Sequence, residues 1–393
     1  MRVTNGMIRN NTLNNLYKNI SAVNQSFAQM STGKKIQTVS DDPIIAGRAI
    51  KLKVNVLETQ QYQKNAKEAR SWMEVTETSM DNMNKILESI RTKCVQASTG
   101  TLEEKDKAVI KTDIMQLWEQ LQEEANVTYG GRYVYSGYKT SEPLMLNKDL
   151  TLEEDLLVEK EYTVSSGTTI ATGSILAKGS TVSKADRATL GITDIMLDVD
   201  GKLGADFTVP TGGITLKGEL TLSENSKLAS GSTVTAGNIN PKVYNQISGQ
   251  EMRYEVGTGN TITVNTLGMD DTFNNLLQMM EEIVTTVDSS LEAGSTITSD
   301  DLHNLFNDKI GEIDEVLADI STKTADLGSR MARLDYVDSR LTDNNADYKE
   351  LLSNTEDIDV EEVYVEFNSR YATYTAALQA TSKVIMNTLA DYL

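Results

Sequence analysis

Cysteine is nearly absent: Cys94 is the only one in 393 residues. A single thiol excludes an intramolecular disulfide framework and any cysteine-built metal cage. Four prolines leave room for long uninterrupted helices. Aromatic residues make up 6%, too few for one large aromatic-rich core. No run approaches the roughly 20 apolar residues of a membrane span, and the first residues lead into Asn10, Asn11, Asn14 and Asn15 rather than a cleavable apolar core. Positive charge is in deficit. The net charge is −20 and the pI about 4.6, which argues against nucleic acid or an anionic membrane as a general partner.

Catalytic chemistry is equally thin. The one histidine, His303, lies in an acidic helix start, Asp300-Asp301-Leu302-His303. A solvent-facing side chain is the expectation there, not a triad member. Cys94 falls on a helical seam and reads as a buried small apolar residue. Asp198-Val199-Asp200-Gly201 has the look of a calcium loop, but Met196 and Phe207 stand where the outer carboxylates are required, so a turn is expected. Met73, Met80 and Met83 recur at helical spacing, as core residues do. No catalytic residue, cofactor or metal is predicted.

What the chain does have is a pair of matched ends. Leu13, Leu16, Ile20, Val23, Phe27 and Met30 alternate at spacings of three and four. Tyr364, Phe367, Tyr371, Tyr374, Leu378, Thr381, Ile385, Thr388 and Tyr392 do the same, and Leu393 follows. Such alternation puts the apolar residues on one helix stripe, which needs a partner helix to cover it. Charge favours pairing the two ends with each other. Residues 1–60 hold eight basic and three acidic residues (+5), whereas residues 340–393 hold four and ten (−6).

Between the ends, Ser31-Thr32-Gly33 breaks the first helix, and Ser40-Asp41-Asp42-Pro43 starts the next with an acid N-cap and a first-turn proline. That helix runs long, through Ala69, Met73, Thr76, Met80, Met83, Leu87, Ile90, Cys94 and Ala97. Another, with Ile110, Ile114, Leu117 and Leu121 inward, folds back on it as a hairpin. Tyr129 to Tyr138 reads as a β-hairpin around Gly130-Gly131. From about Glu142 to Leu267 the composition turns to Thr, Val, Gly and Ser. SILAKGSTV at 174–182 recurs there 52 residues later as SKLASGSTV at 226–234, a duplicated β unit rather than a solenoid. Helix returns with Phe273, Leu276, Leu277, Met280, Ile283 and Val287. A long helix from Leu302 to Leu341 follows, with a break expected at Asp343-Asn344-Asn345, and the terminal seam helix comes last.

The predicted class is α+β: an antiparallel helical rod built from both ends of the chain, with an inserted all-β domain. Three domains are expected. Residues 1–42 and 355–393 form a terminal coiled-coil assembly domain, disordered in the monomer for want of partners. Residues 43–145 and 268–354 form the helical rod with its β-hairpin. Residues 146–267 form an outward-facing β domain. The expected assembly interface is Leu13, Leu16, Ile20, Val23, Phe27, Met30, Phe367, Tyr371, Tyr374, Leu378, Ile385 and Tyr392.

Several stretches resemble the flagellin superfamily. They are Met30-Ser31-Thr32-Gly33-Lys34-Lys35-Ile36, Val39-Ser40-Asp41-Asp42-Pro43, Leu87 through Ala97, and Tyr371 through Ala380 to the end. The segment from Asn126 to Thr140 and the ending Leu389 to Leu393 resemble the branch that joins hook to filament. The resemblance covers about residues 1–145 and 268–393. It departs at Pro43-Ile44-Ile45-Ala46-Gly47, where the family has smaller residues, and in the β insert. It implies a structural, non-enzymatic part of the bacterial flagellum, extracellular and exported without a cleaved signal through the flagellar type III apparatus. The implied partners are hook-associated protein 1, flagellin, neighbouring copies and an export chaperone, with no nucleic acid or membrane. A filament-forming flagellin is the alternative. A secreted adhesin or enzyme acting through its β domain is a third reading.

Overall fold

The structure, a computed structural model, describes residues 5–99, 104–193, 196–198, 201–247, 249–291 and 297–385. The chain divides into two compact units, Met1–Lys64 with Asp338–Leu393, and Asn65–Val337. The main helices are α1 (Asn5–Thr32), α2 (Pro43–Ala97), α3 (Glu104–Ala125), α6 (Met269–Leu291), α7 (Ser299–Glu356) and α8 (Val360–Ile385), with short α4 (Lys184–Leu190) and α5 (Pro241–Ile247) between. The class is α+β, with one qualification: α4 and α5 lie inside the region expected to be all β.

Local signals explain the helix boundaries. Gly33 closes α1 at φ +70°, the left-handed conformation glycine adopts at low cost. Asp42 caps α2, its Oδ1 accepting the amides of Ile44 and Ile45 at 2.9 and 3.1 Å, and Pro43 fills the first turn. The break expected at Asp343-Asn344-Asn345 does not occur, and α7 runs through it. Asn345 donates to Gln63 of α2 at 3.1 Å, and Gln63 donates to Thr342 at 3.0 Å. An amide engaged across the helix pair no longer competes for its own backbone.

In the larger unit, α2, α3, α6 and α7 share a core. Met73, Met80, Met83, Leu87, Ile90, Cys94 and Ala97 of α2 are fully buried, as are Leu121, Phe273, Ile283, Val287, Phe306, Ile313, Ile320 and Leu327. Ion pairs link these helices in a ring. Lys93 meets Asp113 at 2.6 Å, Lys111 meets Asp288 at 2.5 Å, and Arg91 forks onto Asp314 at 2.6 and 3.1 Å. Lys309 of α7 pairs with Glu282 of α6.

A hairpin of β1 (Thr128–Tyr129) and β2 (Arg132–Tyr133) turns at Gly130 and Gly131, both at positive φ. The β region then uses very short strands. They are β3 (Leu150–Thr151), β4 (Leu156–Leu157), β5 (Tyr162–Val164), β6 (Thr169–Ile170), β7 (Ile175–Leu176), β8 (Thr181–Val182), β9 (Phe207–Thr208), β10 (Ile214–Thr215), β11 (Leu220–Leu222), β12 (Lys227–Leu228) and β13 (Thr233–Val234). They form three antiparallel sheets, ordered β10-β6-β13-β3, β5-β11-β8 and β4-β12-β7-β9. A separate ribbon of β14 (Arg253–Gly257) and β15 (Asn260–Thr263) precedes α6.

The two sequence copies do not stack; they interlock about an approximate dyad. Ile175 pairs with Lys227, its own counterpart in the other copy. The Ala177 amide donates to Ser226 Oγ at 3.0 Å and, reciprocally, Ala229 donates to Ser174 Oγ at 2.9 Å. Ala171 to Ser232 and Ser223 to Ser180, both 3.0 Å, form the second such pair. Ser174, Ser180, Ser226 and Ser232 are fully buried, so each hydroxyl satisfies an amide that water does not reach. Ser226→Ala should therefore destabilise the protein by about 1–3 kcal/mol by orphaning the Ala177 amide, read as a lower urea midpoint at unchanged slope.

Candidate assembly interface

The smaller unit brings the two ends together. Helices α1 and α8 pack along their length. The covered positions of α8 include Val363, Phe367, Arg370, Tyr374, Ala377 and Thr381, and those of α1 include Thr12, Leu16, Asn19, Val23, Ser26 and Met30, with Leu13 and Ala22 alongside. Both rows keep the alternation of three and four that a two-helix seam requires. Arg370 crosses the seam and donates from Nη1 to the Ala22 carbonyl at 3.0 Å and to Ser26 Oγ at 2.8 Å. Phe27 meets Phe367 at 6.3 Å between ring centroids, and Phe367 stacks on Tyr371 at 6.0 Å.

The predicted interface residues whose side chains are described fall in two groups. Leu13, Leu16, Val23, Met30, Phe367 and Tyr374 are half-buried. Ile20, Phe27, Tyr371 and Leu378 stay exposed at 38, 61, 51 and 40%. Ile385 ends α8 and its side chain, like Tyr392, is outside the described residues. Beside the covered row of α8, therefore, runs a second apolar row: Val360, Tyr364, Tyr371 and Leu378, all exposed. Ile44, Ile50, Val54 and Leu57 of α2 are exposed as well.

A clasp missed by sequence reading holds the corner after α1. The Lys35 amide donates to the Glu356 carbonyl at 2.7 Å, and the Ile358 amide to the Gly33 carbonyl at 3.0 Å. Lys34 and Lys53 both reach Glu356 Oε1 at 2.7 Å. Burial pushes the Glu356 carboxyl up, but hydrogen bonds from Lys34 and Lys53 outweigh it and leave it below the usual carboxylate range. With its folded value depressed, this carboxylate stabilises the corner above the ordinary carboxylate range, and the contribution is lost as pH falls through the folded value. The lysines are nearly half exposed, so Glu356→Gln should cost only about 1 kcal/mol at neutral pH. Thermal melts at pH 7 and pH 3 check this, the gap between the two proteins closing at pH 3.

The other candidates carry no chemistry. Cys94 is fully buried and its thiol is pushed up to about 12 by desolvation, so it is unreactive. His303 does not face solvent as expected. It is half-buried, with Nδ1 against the Ser98 carbonyl. Asp198 closes a turn, accepting the amides of Gly201 and Lys202. Among the described residues no group of three potential ligands gathers for a metal, and no helix is long and apolar enough to cross a membrane.

Paired terminal helices with an apolar row left uncovered define a coiled-coil protein with more seam than its own two ends use. The chain belongs to the flagellin superfamily: the bacterial flagellin N-terminal helical region matches residues 3–140 and the C-terminal helical region matches residues 310–393. It is 39% identical over 113 residues to flagellar hook-associated protein 3 of Escherichia coli K12, covering 28% of this chain and 36% of that one. It is 35% identical over 105 residues to flagellin of the same strain, covering 26% and 21%. The match thus spans about a third of the hook-associated relative and a fifth of the flagellin. Among solved structures, FlgL of Bacillus cereus is 13% identical with a TM-score of 0.41, over 77% of this chain and 99% of that one. That likeness is too loose to define the fold.

Proposed function

We propose that this chain is a structural subunit of the bacterial flagellum and, more specifically, a one-layer adaptor between hook and filament. The observation that carries this is the second apolar row of α8, exposed beside a seam already closed by α1. Contiguous exposed apolar surface marks an interaction site, and here it lies in the flagellin-type ends. The matches to hook-associated protein 3 favour the junction reading. On it, residues 1–42 and 355–393 form the assembly part, and Leu13, Leu16, Ile20, Val23, Phe27, Met30, Phe367, Tyr371, Tyr374, Leu378, Ile385 and Tyr392 carry the contacts. Hook-associated protein 1 lies below, flagellin above, and copies of the chain to either side. The same α8 row suits an export chaperone, because an amphipathic helix docks in an apolar groove.

Sedimentation of purified protein at high concentration, alone and with sheared filament seeds, tests the proposal. An adaptor stays in the supernatant alone and co-pellets with the seeds by binding their ends. Long filaments from the protein alone would instead make it a filament flagellin, the reading favoured by the match to flagellin itself.

A further inference from the structure

The start of α2 carries two apolar rows, and the chain covers only one. Ala49, Val56 and Thr59 are buried, on the side where Gln63 meets Thr342 and Asn345 of α7. Ile50, Val54 and Leu57 are instead 52, 45 and 65% exposed. At 3.6 residues per turn these three lie within about 60° of one another and face away from the buried row. With Gly47 before them and Gln61 after, they keep the alternation of three and four that marks a helix seam. Lys51 and Glu58 flank this open seam on one side, both exposed, and neither takes part in an ion pair among the described residues. Lys53 flanks it on the other side and is held by Glu356 at 2.7 Å.

We propose that the open seam of α2 pairs with the same seam of a second copy, antiparallel and about a two-fold axis. Charge fixes both the partner and the direction. When Val54 of each copy meets Leu57 of the other, Lys51 of each comes alongside Glu58 of the other. The two ion pairs are then reciprocal, as a contact between identical patches requires. A parallel pairing would draw on Lys53, which Glu356 already holds. The exposed row of α8, from Val360 to Leu378, has one cation to offer Glu58, Arg370, and that side chain is held by α1. A two-fold contact closes on itself and cannot run on through a polar layer. The pair therefore belongs to the free protein, where it withholds the α2 seam from other partners, and it stands whether or not the chain is a hook–filament adaptor.

Sedimentation equilibrium of the full-length protein at low salt, up to millimolar concentration, tests this. The wild type should show a monomer–dimer equilibrium. Lys51→Glu and Glu58→Lys should each weaken it roughly tenfold, because each turns both attractions into repulsions. Mixed one to one, the two variants should associate as well as the wild type, since every facing pair is again opposite in sign. The double variant Lys51→Glu/Glu58→Lys should be restored in the same way. Both side chains are exposed, and far-UV circular dichroism confirms that the variants fold. Direction is read by oxidative cross-linking. Cys94 is buried, so Val54→Cys and Leu57→Cys supply the accessible thiols, and a mixture of the two should cross-link more than either alone. A protein monomeric throughout, a dimer that both charge reversals leave unchanged, a variant mixture that fails to associate, or cysteine variants that link best with themselves would each overturn the proposal.

Discussion

Leu378→Asp is expected to remove the protein from assembled flagella while leaving the purified chain folded. Leu378 is 40% exposed and lies outside the row that α1 covers, so an aspartate there meets water in the isolated molecule. In an assembled layer the same position would be covered by a neighbour. Burying a leucine contributes about 1.5–3 kcal/mol, and a buried unpaired carboxylate costs several kcal/mol more. The penalty recurs in every copy of the layer, so incorporation should drop below detection. Val363→Asp is the contrasting variant. Val363 is buried in α8, the helix that packs on α1, and its replacement should loosen the α1–α8 pair even in the free chain. The check is the ratio of protein in detached flagella to protein free in the medium, with circular dichroism of each purified variant. Normal incorporation of Leu378→Asp would show that the exposed row is not the contact surface.

The exposure of that row also shows where sequence pattern stops being sufficient. The long helices were readable because their apolar spacing is regular and their caps are strong: every seam residue from Ala69 to Ala97 that the pattern marks is fully buried. On α8 the predicted seam and the covered row share Phe367, Tyr374 and Thr381. The covered row completes itself with Arg370 and Ala377, which score poorly as apolar, and the predicted seam with Tyr371 and Leu378, which score well. Hydropathy alone therefore picked the row with more apolar area, whereas packing against the small and polar face of α1, with Ser26 and Asn19, selected the other. In the β region the duplication was visible but its rhythm was not. Positive-φ residues Gly167, Gly173 and Gly179, and Asn225, Gly231 and Gly237 in the other copy, recur every six residues. Each is followed by a fully buried Thr, Ser or Asn. The recurring Gly-Ser and Gly-Thr pairs carried that signal. The groove lined by Trp118, Ser165 and Glu281 left no trace in sequence, because the three are distant in the chain and meet only through the fold.

Glu219→Gln should stabilise the protein at pH 8 and have little effect at pH 4. Glu219 precedes β11, and its carboxyl rises from 4.5 to about 7, first by burial, then by the charges of Glu282 and Glu281 on α6, with Lys309 of α7 opposing. An acid whose folded pKa is raised binds its proton more tightly folded than unfolded. Between pH 4.5 and 7 the unfolded chain ionises while the folded one resists, so stability falls across that window and levels off above it. The loss approaches about 3 kcal/mol if this group acts alone. Glutamine cannot ionise and keeps the neutral form at every pH, so the two proteins should diverge through the window and run parallel above pH 7. Glu281 is raised by the same burial, so the carboxyls titrate as a coupled set and the single variant recovers part of the loss. The double variant with Glu281→Gln should recover more. Urea midpoints from pH 4 to 8 measure this. A constant difference between wild type and Glu219→Gln at all pH values would mean that the side chain matters by shape and not by its proton.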